Sequence, residues 1–415
     1  MNILLLAYAV SPTKGSEFSV GWNILINLAK NNKVHVLVGL SGDHMGDTRE
    51  VEEYFAKYPN PNVELHVVYP NLLARIINYP NVIGIFGPIF YFAFPFWQKS
   101  ALRIAKKIVL ENSIDVIHHL NPIGFREPGY LWKIDKPFVW GPIGGALFVR
   151  GSLIENLPVF NRPFYHIKNL INLVQLKYNK RIKLALKKSS HIIFCNSENK
   201  MNFEEFFGVT GTVLPEQGTF AILPNPDFSF DNKDKCINLI WCGDVSNRKN
   251  IYLLLRALHK LGRHDRWHLK IVGEGNALPN VKRLADRLKL NGNIEWLGRK
   301  SRNEVFELMK RSDLHCMSSL AEGNPAVLFE AISMYLPTIS LNKDGMADLL
   351  KGGNGFLVNV CDFEGTILAY ALMLERIVDN PDLLRDVRAR LVGLSGELTW
   401  SKKIQTIENI YCSIV

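Results

Sequence analysis

Ser318-Ser319-Leu320-Ala321-Glu322-Gly323-Asn324-Pro325-Ala326-Val327-Leu328-Phe329-Glu330-Ala331, following the apolar run Leu314–Met317, decides how the rest of the chain is read. A short apolar run that ends in small polar residues reads as a buried strand. Pro325 then marks the first position of a helix, where a missing amide proton costs nothing. Glu322 stands in the loop at the helix mouth, with Glu330 about one turn inside. The amides of Gly323, Asn324, Ala326 and Val327 point outward with the positive end of the helix dipole, a setting that favours an anion such as a diphosphate.

Outward from this stretch, runs rich in Val, Ile and Leu alternate with segments of helical period, as in parallel sheets covered by helices. Leu239–Cys242, His268–Val272, Ile294–Leu297, Leu314–Met317 and Thr338–Ser340 are the strands of one sheet, with helices at Ile251–Leu261 and Asn280–Leu288. Before them, Ile3–Ala9, Val34–Leu40, Val63–Val68, Asp115–His119, Phe138–Gly141 and His191–Cys195 make another, with a helix over Phe18–Lys30. Gly208–Lys235, with Pro215, Pro224 and Pro226, reads as a domain end and linker. At 415 residues the chain exceeds one comfortable core. The expected fold is therefore α/β: a Rossmann-like domain over 1–220, a second over 221–396, a helix over 397–415, and a cleft between the sheets.

Charge is divided unevenly. Residues 1–196 hold 22 Lys and Arg against 12 Asp and Glu, leaving 27 of each sign for the remainder, so the whole formal charge of +10 belongs to the first half. An anionic partner is expected there, and with no nucleic-acid module in the sequence an anionic membrane surface fits better than nucleic acid. Pro80–Trp97 is uncharged and aromatic. Pro88 and Pro95, each costing about 3 kcal/mol in a helix interior, argue against a membrane span and for packing or lipid contact. Met1–Val10 lacks a basic leader and reads as a strand instead of a signal peptide. Six cysteines without Cys-x-x-Cys spacing read as reduced, which suits a cytoplasmic or membrane-peripheral protein. Only His118 and His119 are adjacent, so no metal is expected.

Glu322 and Glu330 have the spacing, after a Ser-rich strand end, of the GT-B glycosyltransferase family 4 (glycosyl transferases group 1), which the chain resembles along nearly its whole length. Trp241-Cys242-Gly243 with Arg248-Lys249 resembles the family's strand, glycine turn and basic pair. Ile271-Val272-Gly273-Glu274-Gly275 and Leu297-Gly298 with Arg302 resemble its next two turns. Gly15-Ser16-Glu17 resembles the turn opening its first helix, Asn196-Ser197-Glu198 a familiar strand end, and Trp400–Tyr411 the terminal helix that returns to the first domain. His118-His119 falls where the family often carries an acceptor-facing histidine, and strand alternation allows only one of the two to reach the cleft.

The resemblance implies a GT-B fold and retaining transfer of a sugar from a nucleotide diphosphate donor to a glycan or lipid-linked acceptor, in envelope polysaccharide or glycolipid synthesis. It implies catalytic roles for Glu322, His119, Arg248 and Lys249. Donor contacts fall to Gly15, Ser16, Gly243, Arg248, Lys249, Glu322, Gly323, Asn324, Pro325, Ala326, Val327 and Glu330. No Asp-x-Asp occurs, so a metal route to neutralising the diphosphate lacks its usual ligands. Asp244 and Asn250 depart from the family's Gly-Arg and Lys-Gly, and an acid aimed at a diphosphate would oppose binding, so either Asp244 points away or Arg248 supplies the missing charge. Two other readings suit the same fold: a sugar-nucleotide epimerase or hydrolase, and a non-catalytic nucleotide-sugar-binding subunit.

Overall fold

The computed structural model of the protein describes residues 1–39, 49–220 and 236–415. Seven strands form the first sheet: β1 (Asn2–Ala7), β2 (Lys33–Gly39), β3 (Val63–Val68), β4 (Val116–Asn121), β5 (Phe138–Ile143), β6 (His191–Phe194) and β7 (Thr212–Val213). Their order is β3-β2-β1-β4-β5-β6-β7. Six form the second: β8 (Ile237–Cys242), β9 (Trp267–Val272), β10 (Ile294–Gly298), β11 (Leu314–Cys316), β12 (Thr338–Leu341) and β13 (Phe356–Val358), in the order β10-β9-β8-β11-β12-β13. Every pairing is parallel. The order reverses beside β1 in one sheet and beside β8 in the other, and ligands of such sheets collect outside the strand ends at those reversals.

The expected strands stand within a few residues of their observed ends, and β7 and β13 add to them. Both are too short, at two and three residues, to show a periodicity. The end of the second expected strand, Leu40, and the linker residues 221–235 lie outside the described residues, as does the sequence next to the expected boundary at 220. Pro325 precedes its helix in extended conformation, and the helix runs over Ala326–Ser333.

Pro80–Trp97 is divided between two helices, Leu72–Val82 and Phe90–Glu111. Pro80 and Pro95 each lie within about two turns of a helix end, where a lost ladder bond is easier to absorb than at mid-helix. Phe94 and Trp97 are buried against Tyr8, at ring-centroid separations of 4.8 and 5.0 Å. Phe86, Tyr91 and Phe92 face outward. Among the described residues, no helix is long and apolar enough to cross a membrane.

The last helix, Trp400–Ile414, follows the second sheet in sequence but packs Ile404, Ile407, Ile410 and Tyr411 into the core beneath the first, with Ile3, Leu5 and Val116. Lys403 donates to the carbonyls of Pro215 and Gln217, and Glu408 accepts from Asn32 at 2.7 Å. The two ends of the chain are thereby tied to one sheet.

Candidate active site

At the carboxyl ends of β8, β9 and β11 the backbone turns are packed too closely for side chains. Gly243 and Gly273 have φ of +146° and +142°, and a Cβ on Gly273 would collide with the carbonyl of Gly243. The loop after β11 is stitched to the loop after β8: Leu320 N donates to Arg248 O at 2.8 Å and Ser318 Oγ to Asn250 O at 2.9 Å. From beyond β12, Lys343 Nζ donates to Leu320 O at 2.8 Å and pairs with Asp344, whose Oδ2 accepts from Glu322 N at 3.0 Å. Glu322 is thus fixed by its backbone from two sides.

Its carboxylate meets both members of the basic pair. Lys249 Nζ lies 2.7 Å from Oε1, and Arg248 Nη1 binds the same oxygen. Burial alone would raise the Glu322 carboxyl, but the charges of Lys249 and Arg248 override it and hold the group below the usual carboxylate range. Arg248 remains well exposed on its outer side, so one member of the cluster is open to an incoming anion.

The first domain closes on this loop through the residues at the end of β6. Asn196 Nδ2 donates to Gly323 O at 3.0 Å, and Asn324 Nδ2 to Cys195 O at 2.6 Å. Ser197 N donates to Asp348 Oδ2 at 2.6 Å, and Asp344 N to Glu198 Oε2 at 3.1 Å. Gly345 passes so near Gly323 O that a Cβ there would collide with it.

Three cavities surround the loop. One of 380 Å³ is lined by Gly243, Asp244, Glu274, Lys300, Val327 and Glu330. Another, of 400 Å³, joins Gly15, Ser16 and Trp22 of the first domain to Arg302, Ala326 and Glu330 of the second. The third, of 450 Å³, sets Phe164, Tyr165 and Lys168 opposite Asp244 and Arg248. Glu330 lies between the first two. Burial raises its carboxyl, opposed by Arg302, whose Nε is 3.2 Å away and whose guanidinium stacks 4.1 Å above the ring of Phe220. A larger cavity of 640 Å³, bordered by Arg162, Arg256, Arg283 and Arg287, contains none of these residues.

Among the residues singled out in the sequence, Glu322, Arg248 and Lys249 are in direct contact. Gly15, Ser16, Gly243, Ala326, Val327 and Glu330 border the adjoining cavities, while Gly323, Asn324 and Pro325 form the loop itself. Asp244 does not point away: it lines two of the cavities, with its carboxylate lying over Gly275, and Arg248 shares one of them with it, as in the other expectation. His119 departs from expectation. Alternation does send the two histidines to opposite faces, yet both are wholly buried. His118 Nδ1 meets Tyr411 Oη at 2.5 Å and its Nε2 meets Gly141 O at 2.7 Å, while His119 lies under Gly129. Burial lowers them to about 4 and about 3, so both are neutral packing groups set back from the cleft.

Three acids and a base near the cleft went unread. Glu17 Oε1 accepts from Ile123 N at 3.3 Å. Burial, followed by Glu17, pushes Glu216 up to about 8. Lys343 and Asp344 support the Glu322 loop from β12. The Gly-Ser-Glu turn could have signalled Glu17, but the others are placed by tertiary packing.

Residues 227–390 match the family described as Glycosyl transferases group 1. An uncharacterized glycosyltransferase of Haemophilus influenzae is 27% identical over 204 residues, which cover 48% of this chain and 55% of that protein, so the chain spans about half of this relative's length. The GalNAc-alpha-(1->4)-GalNAc-alpha-(1->3)-diNAcBac-PP-undecaprenol alpha-1,4-N-acetyl-D-galactosaminyltransferase of Campylobacter jejuni is 26% identical over 165 residues, 39% of this chain and 44% of that one. Among solved structures, Anabaena Alr3699/HepE in complex with UDP-glucose superposes with a TM-score of 0.61 over 100% of both chains at 16% identity, a likeness that speaks to fold alone.

Proposed function

We propose, from the match of residues 227–390 to the group 1 glycosyltransferases and the fold shared with Alr3699/HepE, that the chain transfers a sugar, with retention of configuration and without a metal, from a nucleotide diphosphate donor to a glycan or lipid-linked acceptor. The observation that carries this reading is the contact of Glu322 with Lys249 and Arg248 at the mouth of the interdomain cleft. One carboxylate offsets only one of the two positive charges, so the cluster keeps a net positive charge for an anion. A diphosphate entering beside Arg248 competes for the two cations and leaves Glu322 free to face the sugar.

In the proposed step the bond from the anomeric carbon to the diphosphate breaks and the acceptor oxygen bonds to the same face. The departing phosphate oxygen takes the acceptor's proton. Arg248 and Lys249 are fixed positive groups where negative charge builds, so they lower the barrier without reorganising. Arg offers a planar fork and Lys a point charge. Glu322 orients the sugar and offsets its developing positive charge, while Glu330 grips the ribose. No residue stands as a dedicated base in this scheme, and His119 has no part in it.

The third cavity suits the acceptor, since Lys168 and Arg248 line it and the helix Arg162–Tyr178 leads away from it. That helix exposes Phe164, Ile167, Leu170, Ile171 and Val174, and Phe160 before it is 96% exposed. An apolar strip beside basic residues suits an anionic membrane surface and a lipid-linked acceptor. The Campylobacter relative, whose printed name specifies an undecaprenol diphosphate-linked glycan, favours the same acceptor class and envelope polysaccharide or glycolipid assembly. The test is to incubate the protein with a panel of nucleotide sugars, with and without lipid-linked glycans. Donor consumption that requires acceptor supports transfer; consumption without it supports the hydrolase or epimerase reading.

A further inference from the structure

We propose that His35, Glu64 and His66 bind one divalent transition metal of the zinc class, clasping β2 to the edge strand β3. Pairing register sets His35 opposite Glu64 and Leu37 opposite His66, and the two-residue alternation of strands turns all three ligands to one face. These donors come from neighbouring strands and are invisible to linear spacing. His35 is buried, His66 half-buried, and Glu64 opens to solvent, so the cluster has an entry path.

One donor atom from each of the three side chains lies within 4.8 Å of the other two. His35 Nδ1 lies 3.3 Å from His66 Nε2 and 3.3 Å from Glu64 Oε2, and His66 Nε2 lies 3.4 Å from Glu64 Oε1. Ligands held about 2.0–2.1 Å from a zinc ion at tetrahedral corners are separated by about 3.3–3.4 Å, the spacing of the two imidazole nitrogens and of each from its nearer Glu64 oxygen. Two imidazoles and a carboxylate form a donor set zinc accepts, with water at the fourth corner.

Two features limit the affinity. Lys33 Nζ lies 3.9 Å from Glu64 Oε2 and competes for it. His35 Nε2 is buried without an acceptor, so the outer-shell bond that usually orients a ligating imidazole is missing. Binding is therefore weaker than at a complete structural site. The function is mechanical: β3 is the outermost strand, and a metal pins an edge that otherwise offers unpaired backbone groups. His35 and Glu64 lie near the start of their strands, at the end of the sheet away from the cleft, so the metal acts on stability and leaves donor binding unchanged.

The experiment adds Co²⁺, then Zn²⁺, to the chelator-treated full chain. The expected results are a visible absorption band of tetrahedral Co²⁺ saturating at one ion per chain, its displacement by Zn²⁺, a Zn²⁺-dependent rise in Tm, and no response to Mg²⁺. Glu64→Gln and His66→Gln change outward-facing side chains, and each keeps the wild-type circular dichroism while losing the band and the Tm rise. A wild-type chain with no tetrahedral band overturns the proposal, as does a band that survives in both variants.

Discussion

Glu322 carries the most consequence of any residue. Removing it leaves Lys249 and Arg248 crowded without a counter-charge and the sugar without its acid, so Glu322→Ala is expected to lower turnover by about 10²-fold or more. Glu330→Ala is expected to weaken donor binding about tenfold, through loss of a charged hydrogen bond to ribose, with a smaller effect on turnover. Steady-state kinetics over a range of donor concentrations separates the two outcomes, in kcat for the first and KM for the second. Equal effects on both parameters for Glu330→Ala would contradict its assigned place. The meeting of Glu322 with Arg248 and Lys249 was legible, because short turns after strands of one sheet carry all three. Asp344 was not, since it reaches Glu322 N only through the placement of β12 beside β11. His119 misled because strand alternation tells which faces a pair occupies but not what covers each face.

The terminal helix is the element whose docking can be tested by itself. Tyr411 meets His118 Nδ1 inside the core, and Tyr411→Phe strands that nitrogen without a partner, costing about 1 kcal/mol of stability in denaturant unfolding. Acid should act at the same place. Burial, which disfavours the charged form, lowers His118 to about 4 in the folded chain from an ordinary value of 6.5. Between those values the unfolded chain holds a proton the folded chain lacks, so stability rises with pH across the window and falls on acidification from 6.5 toward 4. His118→Gln should flatten part of that slope; an unchanged slope would assign the effect to other groups. The helix itself was legible from its apolar period and its likeness to the family. Its landing site, beneath the first sheet, came from the resemblance and not from the residues alone. The short strands β7 and β13 were lost because two or three residues carry no period.

Over the whole molecule the uneven charge and the exposed apolar strip make a joint prediction. The protein should bind vesicles containing anionic lipid, bind neutral vesicles less, and release as salt is raised past the point where the screening length falls below about 10 Å. Phe164→Ser with Ile167→Ser should weaken binding at fixed salt. Indifference to both lipid charge and these substitutions would remove the membrane from the account. The two-sheet architecture was the most legible property, since alternation over hundreds of residues averages out local ambiguity. The way the halves meet was not, because the Asn196–Gly323 and Asn324–Cys195 bonds join loops more than a hundred residues apart.

The central claim is that Arg248 and Lys249, paired with Glu322 at the cleft, receive a nucleotide diphosphate. Calorimetric titration of UDP, GDP and ADP into the wild type, Arg248→Gln and Lys249→Met tests it most directly. The account predicts that one of these nucleotides binds the wild type and that each variant binds it about tenfold or more weakly, with the fold intact. Equal affinity in all three proteins would contradict it.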